Sequence, residues 1–92
     1  MNEQTYQSVW DAISDTPQEA ANMKARSELM RKITAFIKKA NKKQADAAHD
    51  CGITQPRLND LLTGKISKFS LDALVNIATS LGLEIHIDVK AA

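Results

Sequence analysis

The stretch QADAAHDCGITQPRLNDLLTGK, residues 44–65, decides the fold. Within it, Ala48 comes four positions before Gly52, an isoleucine follows the glycine directly, and Leu58 and Leu61 lie further along. Two helices that cross steeply through a tight turn need these residue types. A small side chain lets the helices touch, glycine makes the bend, and the hydrophobic residues fill the space beneath. The spacing therefore predicts a helix-turn-helix.

The second helix of the pair begins after Thr54 and ends before Gly64, and it is too short to be stable alone. Leucines attach it to its neighbours, so its opposite face can carry polar side chains outward. A helix of this width fits the DNA major groove, with its N-terminal residues nearest the base edges. We therefore predict a base-reading helix, with a merely solvated helix face as the alternative. The polar residues on it are Gln55, Arg57, Asn59 and Asp60.

Each polar group around this helix suits a particular part of a DNA duplex. Gln55 can make a two-point hydrogen bond to adenine, and Arg57 can bind guanine or a phosphate. Gln44, which starts the preceding helix, and Thr54 stand at positive helix ends and suit phosphate. Lys65, just past the glycine that ends the second helix, is placed for one more backbone contact.

The residues before the helix-turn-helix predict one long helix. Thr16, Pro17 and Glu19 occupy the N-cap, first and third positions of a capping box, and the helical pattern continues to about Ala40. A break near Ser27 is an alternative that the pattern leaves open. We predict that the helix buries one stripe, formed by Leu29, Ile33, Phe36 and Ala40.

The residues after the helix-turn-helix predict one more helix and then a strand. Ser70 caps the segment LDALVNIATSL, and Gly82 stops it. The segment LEIHIDV then alternates apolar and polar residues, which is typical of a strand with one solvated face. Its apolar face is formed by Leu83, Ile85, Ile87 and Val89.

A lone strand is not stable, because its backbone amides and carbonyls have no partner. The simplest solution is pairing with the same strand of a second copy across a two-fold axis. Such a homodimer would also present two base-reading helices about 34 Å apart and so read a palindromic site. The alternative is that the strand edge accepts a strand from another partner protein.

Charge is unevenly distributed along the chain. The first 23 residues contain four acidic residues and no basic one, whereas residues 24–43 contain eight basic residues and one acidic residue. Such clustering suggests a polyanionic partner, and a solvated helix face is the alternative interpretation. The acidic opening segment suits a basic partner protein.

Composition excludes several classes of protein. The 92 residues make one small domain, and no apolar run approaches the length of a membrane span. The N-terminus has no signal-peptide pattern, so we predict a cytoplasmic, nucleoid-associated protein. No cofactor site, metal site or catalytic constellation is evident, and we predict a protein that is not an enzyme. His49 and His86 are expected at the surface, and Cys51 as a buried, inert thiol.

We divide the chain into three parts. Residues 1–15 form an arm or a short helix, with Tyr6 and Trp10 as hydrophobic anchors. Residues 16–82 form the DNA-binding domain, with the helix-turn-helix at residues 44–63. The remaining residues, 83–92, form the dimerisation strand and a tail.

Over about residues 16–88 the chain resembles the XRE-type repressor family, and more closely its small antitoxin-like regulators of the HigA kind. The resemblance lies in the helix-turn-helix stretch, in KFSLDAL and in LGLEIHI. It implies a mostly α, lambda-repressor-like bundle of four to five helices, with one C-terminal β-strand that pairs across a dimer. In that family the position of Gln44 touches phosphate, and the positions of Gln55, Arg57 and Asn59 meet the operator.

One residue departs from the pattern of that wider family. Pro56 stands where many relatives have a second hydrogen-bonding side chain, so base reading would depend on Gln55 and Arg57. The resemblance implies binding to operator DNA, with a repressor that regulates its own promoter as the first hypothesis. It implies only loosely the alternative, a type II antitoxin that neutralises a small basic toxin of the RelE or HigB kind.

Overall fold

The structure, a computed structural model, describes residues 16–91. Four α-helices and one 3₁₀ turn follow each other in these residues, so the predicted mostly helical class is confirmed. The predictions for residues 1–15 lie outside the described part of the chain. The elements are α1 (Pro17–Ala40), α2 (Gln44–Cys51), α3 (Gln55–Leu62), the 3₁₀ turn (Ile66–Lys68) and α4 (Leu71–Ser80).

Three of the helices begin at hydroxyl caps that the sequence predicted. The Thr16 hydroxyl accepts a hydrogen bond from the Glu19 backbone N–H at 3.1 Å, and the Thr54 hydroxyl accepts one from Arg57 N–H at 3.3 Å. Ser70 caps α4 in the same way at 3.0 Å. These bonds satisfy N–H groups that a helix leaves without a backbone partner, and so they fix where each helix starts.

The turn between α2 and α3 is the predicted glycine bend. Gly52 has φ of 74°, in the left-handed region that other residues rarely adopt. Ile53 N–H donates to the Ala48 carbonyl at 3.0 Å, and Gly52 N–H donates to the His49 carbonyl at 3.0 Å. This is a Schellman ending, which closes α2 and turns the chain directly into the cap of α3.

The core forms where all four helices meet. Helix α1 contributes Met30, Ile33 and Ile37. Of the residues predicted to fill the space beneath the bend, Leu58 and Leu61 are fully buried and Ile53 is partly buried. Burying these apolar surfaces is the main stabilising contribution in a domain of this size. The other buried residues are Ala47, Ala48, Cys51, Leu58, Leu61, Phe69, Leu74, Ile77 and Ala78.

The stripe predicted for α1 was wrong in two of its four positions. Ile33 is buried and Leu29 packs partly against the core, but Phe36 is 41% exposed and Ala40 is exposed. The helix carries apolar residues on two adjacent faces, and the other helices cover the face of Met30, Ile33 and Ile37. The helix is also continuous through Ser27.

The predicted C-terminal strand does not form in the single chain. Residues 83–91 have no ladder partner, and no strand occurs between residues 16 and 91. Burial nevertheless alternates at the start of the segment, where Leu83 and Ile85 are half-buried while Glu84 and His86 are exposed. The last two side chains contact each other at 3.3 Å, as neighbours two apart do on one face of an extended chain.

No helix in the described part of the chain has both the length and the apolar character needed to cross a bilayer. The longest, α1, carries basic residues along most of its length.

Replacing Leu58 with alanine tests the core contact of α3. Leu58 is fully buried, so Leu58→Ala should lower the free energy of unfolding by about 2–5 kcal/mol. Leu62→Ala is the matched control, because Leu62 lies on the same helix and is only half-buried. Urea denaturation measures both variants. A loss for Leu62→Ala that equals or exceeds the loss for Leu58→Ala would contradict this packing.

Candidate nucleic-acid interface

Helix α3 presents one exposed polar ridge. Gln55, Asn59 and Thr63 are four residues apart and all exposed, with Pro56 exposed beside them. The opposite face carries Leu58 and is buried. The ridge extends from the N-terminal end of α3 to its C-cap. Because its side chains are exposed, they are accessible to a binding partner.

Arg57 does not share this exposure, contrary to the expectation that it projects outward. Its guanidinium lies over the Phe69 ring, 4.3 Å from the ring centroid, and donates a hydrogen bond to the Lys68 carbonyl at 3.1 Å. Arg57 is half-buried, because the aromatic ring and the carbonyl both lie beside α3. The Arg57 side chain therefore links α3 to the 3₁₀ turn and the residue after it.

Asp60, also expected to project outward, is half-buried between two lysines. Its carboxylate oxygens lie 3.5 Å from Lys65 Nζ and 3.7 Å from Lys68 Nζ. The backbone holds the same loop, since Lys65 N–H donates to the Asp60 carbonyl at 3.0 Å across the left-handed Gly64. The loop after α3 therefore presents two lysines from a fixed backbone.

A second arginine holds the loop from the other side. Arg26 on α1 donates from Nη1 to the Ile66 carbonyl at 3.3 Å and to the Phe69 carbonyl at 3.2 Å. Its Nε donates to the Asn22 side chain at 2.7 Å, which orients the guanidinium. The carbonyls of the 3₁₀ turn are thus bound by arginines from α1 and α3.

The N-terminus of α2 is a different kind of polar site. Lys43 is its N-cap and makes no side-chain cap bond, so the first N–H groups of α2 have no side-chain acceptor. Gln44, the first residue of α2, is exposed. Unsatisfied N–H groups at a positive helix end, next to a lysine, favour an anion.

Lys42, the residue before Lys43, forms an ion pair within the chain. Lys42 Nζ lies 2.6 Å from the Asp50 carboxylate, which joins the start of α2 to its end. The hydrogen bond from Lys42 lowers the pKa of Asp50, and the same bond raises the pKa of Lys42. Because the pKa of Asp50 is lower in the folded protein than in the unfolded chain, its pairing with Lys42 stabilises the fold at pH values above the ordinary pKa of an aspartate. This stabilisation is lost as the pH falls through the lowered pKa.

The basic zone predicted from the sequence lies mostly on α1. Lys24, Arg31 and Lys38 are seven residues apart and exposed on the face opposite the core. They have no ion-pair partner within residues 16–91, whereas Lys32 lies 3.5 Å from Glu28. Exposed positive charge without local neutralisation supports attraction of a polyanion.

The candidate metal and redox residues give no second site. His49 and His86 are exposed as predicted, and no group of three potential metal ligands occurs within the described residues. Cys51 is buried, and burial is the main cause that raises the pKa of its thiol, with the Asp50 charge adding to it. A thiol held protonated is a poor nucleophile.

The sequence analysis did not single out three residues that hold the loop beside this interface: Arg26, Lys68 and Phe69. A signal existed for Phe69, because it directly precedes the Ser70 cap and Leu74 lies at the fourth helical position, which is the pattern of a hydrophobic staple. No local pattern marks Arg26, since its acceptors lie 40 or more positions away in the sequence.

A comparison with protein families agrees with this geometry. A family model described as a helix-turn-helix domain matches residues 12–90. The chain belongs to this helix-turn-helix family. No curated protein matches the chain. A helix-turn-helix domain suggests a DNA-binding regulator, and α3 is the second helix of the motif in this chain.

Arg57→Ala tests the structural role of the arginine in the absence of DNA. Loss of the Phe69 contact and of the Lys68 hydrogen bond should lower the free energy of unfolding by about 1–2 kcal/mol. Gln55→Ala, at an exposed site on the same helix, should change it by less than about 0.5 kcal/mol. Chemical denaturation measures the free energy of unfolding of both variants. Equal losses in the two variants would contradict a stabilising role for the Arg57 contacts.

Proposed function

We propose that this protein is a sequence-specific DNA-binding regulator, a repressor acting at its own promoter, that inserts α3 into the major groove. The observation that carries the proposal is the exposed ridge of Gln55 and Asn59 on a helix whose other face is buried through Leu58 and Leu61. A polar ridge fixed by a rigid core can meet base edges without being reordered.

Base recognition is assigned to the exposed residues of α3. The amides of Gln55 and Asn59 can each donate to and accept from adenine, and Pro56 offers an apolar surface to a thymine methyl group. Arg57 reaches a guanine or a phosphate only if it leaves Phe69, so its proposed contact with DNA competes with its contacts in the free protein. We therefore assign most of the base recognition to Gln55 and Asn59.

Phosphate binding is assigned to three places around the ridge. Gln44 and the uncapped N–H groups of α2 form the first. Thr54 is the second, because its hydroxyl accepts from Arg57 N–H and still has its own hydrogen to donate. Lys65 is the third, held on the loop beside Asp60.

A homodimer completes the proposal. Leu83, Ile85, Ile87 and Val89 alternate with polar residues, and the segment has no partner strand among the described residues. Pairing with a second copy would give the backbone amides and carbonyls of the segment hydrogen-bond partners, and it would present two α3 helices to a palindromic operator. The resemblance to XRE-type repressors of the HigA kind supports the same arrangement.

The second candidate function is that of an antitoxin. The unpaired C-terminal segment favours it, since an extended edge can accept a strand from another protein. The acidic first 23 residues suit a small basic toxin. Expression of the neighbouring gene without this protein would test it, and normal growth of those cells would count against a toxin partner.

Gln55→Ala tests base reading. A duplex is first selected from a random library with the full-length protein, and binding is measured by fluorescence anisotropy at fixed salt. Gln55→Ala should reduce discrimination at one base pair by about 1–3 kcal/mol. Gln18→Ala is the matched control, because Gln18 is exposed in the first turn of α1. Unchanged discrimination in Gln55→Ala and Asn59→Ala alike would exclude the proposed interface.

Lys65→Ala tests phosphate binding. The variant should weaken binding to selected and unrelated duplexes alike, and it should reduce the slope of log affinity against log salt by about one unit. Lys65→Arg retains the charge and should retain the slope. A loss confined to the selected duplex would instead assign base reading to Lys65.

A further inference from the structure

A carboxylate lies between two lysines where α3 ends. Asp60 Oδ1 is 3.5 Å from Lys65 Nζ, and Asp60 Oδ2 is 3.7 Å from Lys68 Nζ. The Asp60 side chain is 21% exposed, whereas the side chains of Lys65 and Lys68 are 52% and 56% exposed. The two ammonium groups are therefore open to a partner, and the carboxylate between them is mostly covered.

The backbone fixes both lysines to α3. Lys65 N–H donates to the Asp60 carbonyl at 3.0 Å, and Lys68 N–H donates to the Lys65 carbonyl at 3.0 Å. Arg57, one turn before Asp60, donates from its guanidinium to the Lys68 carbonyl at 3.1 Å. Because α3 has eight residues, and so a length of about 12 Å, lysines at its end are within reach of a duplex that receives its start.

The distances within this cluster leave both lysines able to bind a second anion. Charge-assisted hydrogen bonds between nitrogen and oxygen are about 2.7–2.9 Å long, so both lysines contact Asp60 loosely. Two ammonium groups also have more hydrogens than one carboxylate can accept. A phosphate of a DNA backbone can therefore bind both lysines while Asp60 stays in place.

We propose that Asp60 limits the affinity of this protein for DNA, and that Lys68 joins Lys65 as a residue that binds backbone phosphate. The inference rests on the proposed function and adds two residues to it. With the carboxylate present, the three side chains together carry one positive charge, and without it they carry two. The phosphate thus meets half of the positive charge that the two lysines alone would supply.

The expected effect on affinity follows from electrostatics. Contacts to phosphate carry no sequence information, so the carboxylate weakens binding to every duplex alike. Water and salt screen a single charge beside a phosphate, so it changes the affinity by about three- to tenfold rather than by orders of magnitude. Weaker binding shortens the time that the protein spends at unrelated sites, which greatly outnumber an operator.

A purely structural role for Asp60 is the competing explanation. The loop has other attachments, because Arg26 donates to the Ile66 carbonyl at 3.3 Å and to the Phe69 carbonyl at 3.2 Å. Ion pairs with exposed lysines contribute little to stability. Removal of the carboxylate should therefore leave the loop in place, and a structural role does not predict an increase in DNA affinity.

Asp60→Asn tests the limit on affinity. Binding of the full-length protein to the selected duplex and to an unrelated duplex is measured by fluorescence anisotropy over a range of salt concentrations. The variant should bind both duplexes about three- to tenfold more tightly, with an unchanged ratio between them and a steeper salt dependence. Asp60→Glu retains the charge and should retain the wild-type affinities.

Glu28→Gln is the matched control for net charge. It changes the charge by the same amount and releases Lys32 from an ion pair of 3.5 Å, but it lies on α1, outside the places assigned to phosphate. It should change both affinities by less than about twofold. Equal gains in Asp60→Asn and Glu28→Gln would overturn the inference, because the effect would then belong to the net charge of the domain.

Lys68→Ala tests the second lysine. It should weaken binding to both duplexes and reduce the slope of log affinity against log salt by about one unit, whereas Lys68→Arg should retain the slope. Lys90→Ala, at an exposed position on the C-terminal segment, should leave the slope unchanged. A wild-type slope in Lys68→Ala would exclude Lys68 as a phosphate-binding residue.

The failure of this inference differs from the failure of the proposed function. If Asp60→Asn binds DNA no more tightly than the wild type while Gln55→Ala still loses discrimination, only the inference is overturned. Circular dichroism shows whether Asp60→Asn is folded, and an unfolded variant would also overturn the inference, because the fold would then depend on the carboxylate. A wild-type protein that binds no duplex would overturn the proposed function and this inference together.

Discussion

The close approach of α2 and α3 is the constraint on which the rest of the structure depends. Ala47 and Ala48 are small enough for the two helices to touch, and Gly52 turns the chain between them with a backbone conformation that other residues adopt only with strain. An α3 of eight residues has no stability of its own. Its direction, and so the direction of its polar ridge, is set by the helix before it and by the core beneath.

Sequence reasoning succeeded where the determinant is local. Hydroxyl caps at Thr16, Thr54 and Ser70 and the bend at Gly52 involve residues within five positions of each other, so their spacing shows directly in the sequence. These features fix the helix boundaries and the buried face of α3. The same locality explains why the exposure of Gln55 and Asn59 was predicted.

Predictions from the sequence failed in two situations. In one, a helix has two apolar faces that could equally be buried, and in the other, the partner of a side chain lies far away in the sequence. On α1, the faces of Phe36 and Ile37 are both apolar, and only the positions of the other helices decide which one is buried. Arg57 looked like a free basic side chain because Phe69 and the Lys68 carbonyl lie 11 or more positions away. The C-terminal segment has the pattern of a strand, but a strand also requires a neighbouring strand, and residues 16–91 do not supply one.

The charges of the domain fall into two groups with different physical roles. Arg26, Arg57 and Lys42 are committed to carbonyls or to a carboxylate of the chain itself, and they hold the loops on either side of the helix-turn-helix. Lys43 and four exposed basic residues of α1, namely Lys24, Arg31, Lys38 and Lys39, have no such partner within residues 16–91. The first group makes the scaffold rigid, and the second group gives it a positive field that acts over about a Debye length, near 8 Å at physiological salt.

The half-covered C-terminal segment has a consequence for the thermodynamics of assembly. Leu83 and Ile85 are already anchored before any partner arrives, so the conformational entropy of that half is lost during folding rather than during association. In the proposed dimer only the last few residues remain to be ordered, and a small contact area can then sustain a specific complex. Occupancy of a two-fold DNA site would rise with the square of the protein concentration while the monomer predominates, which would make the regulator respond sharply to its own abundance.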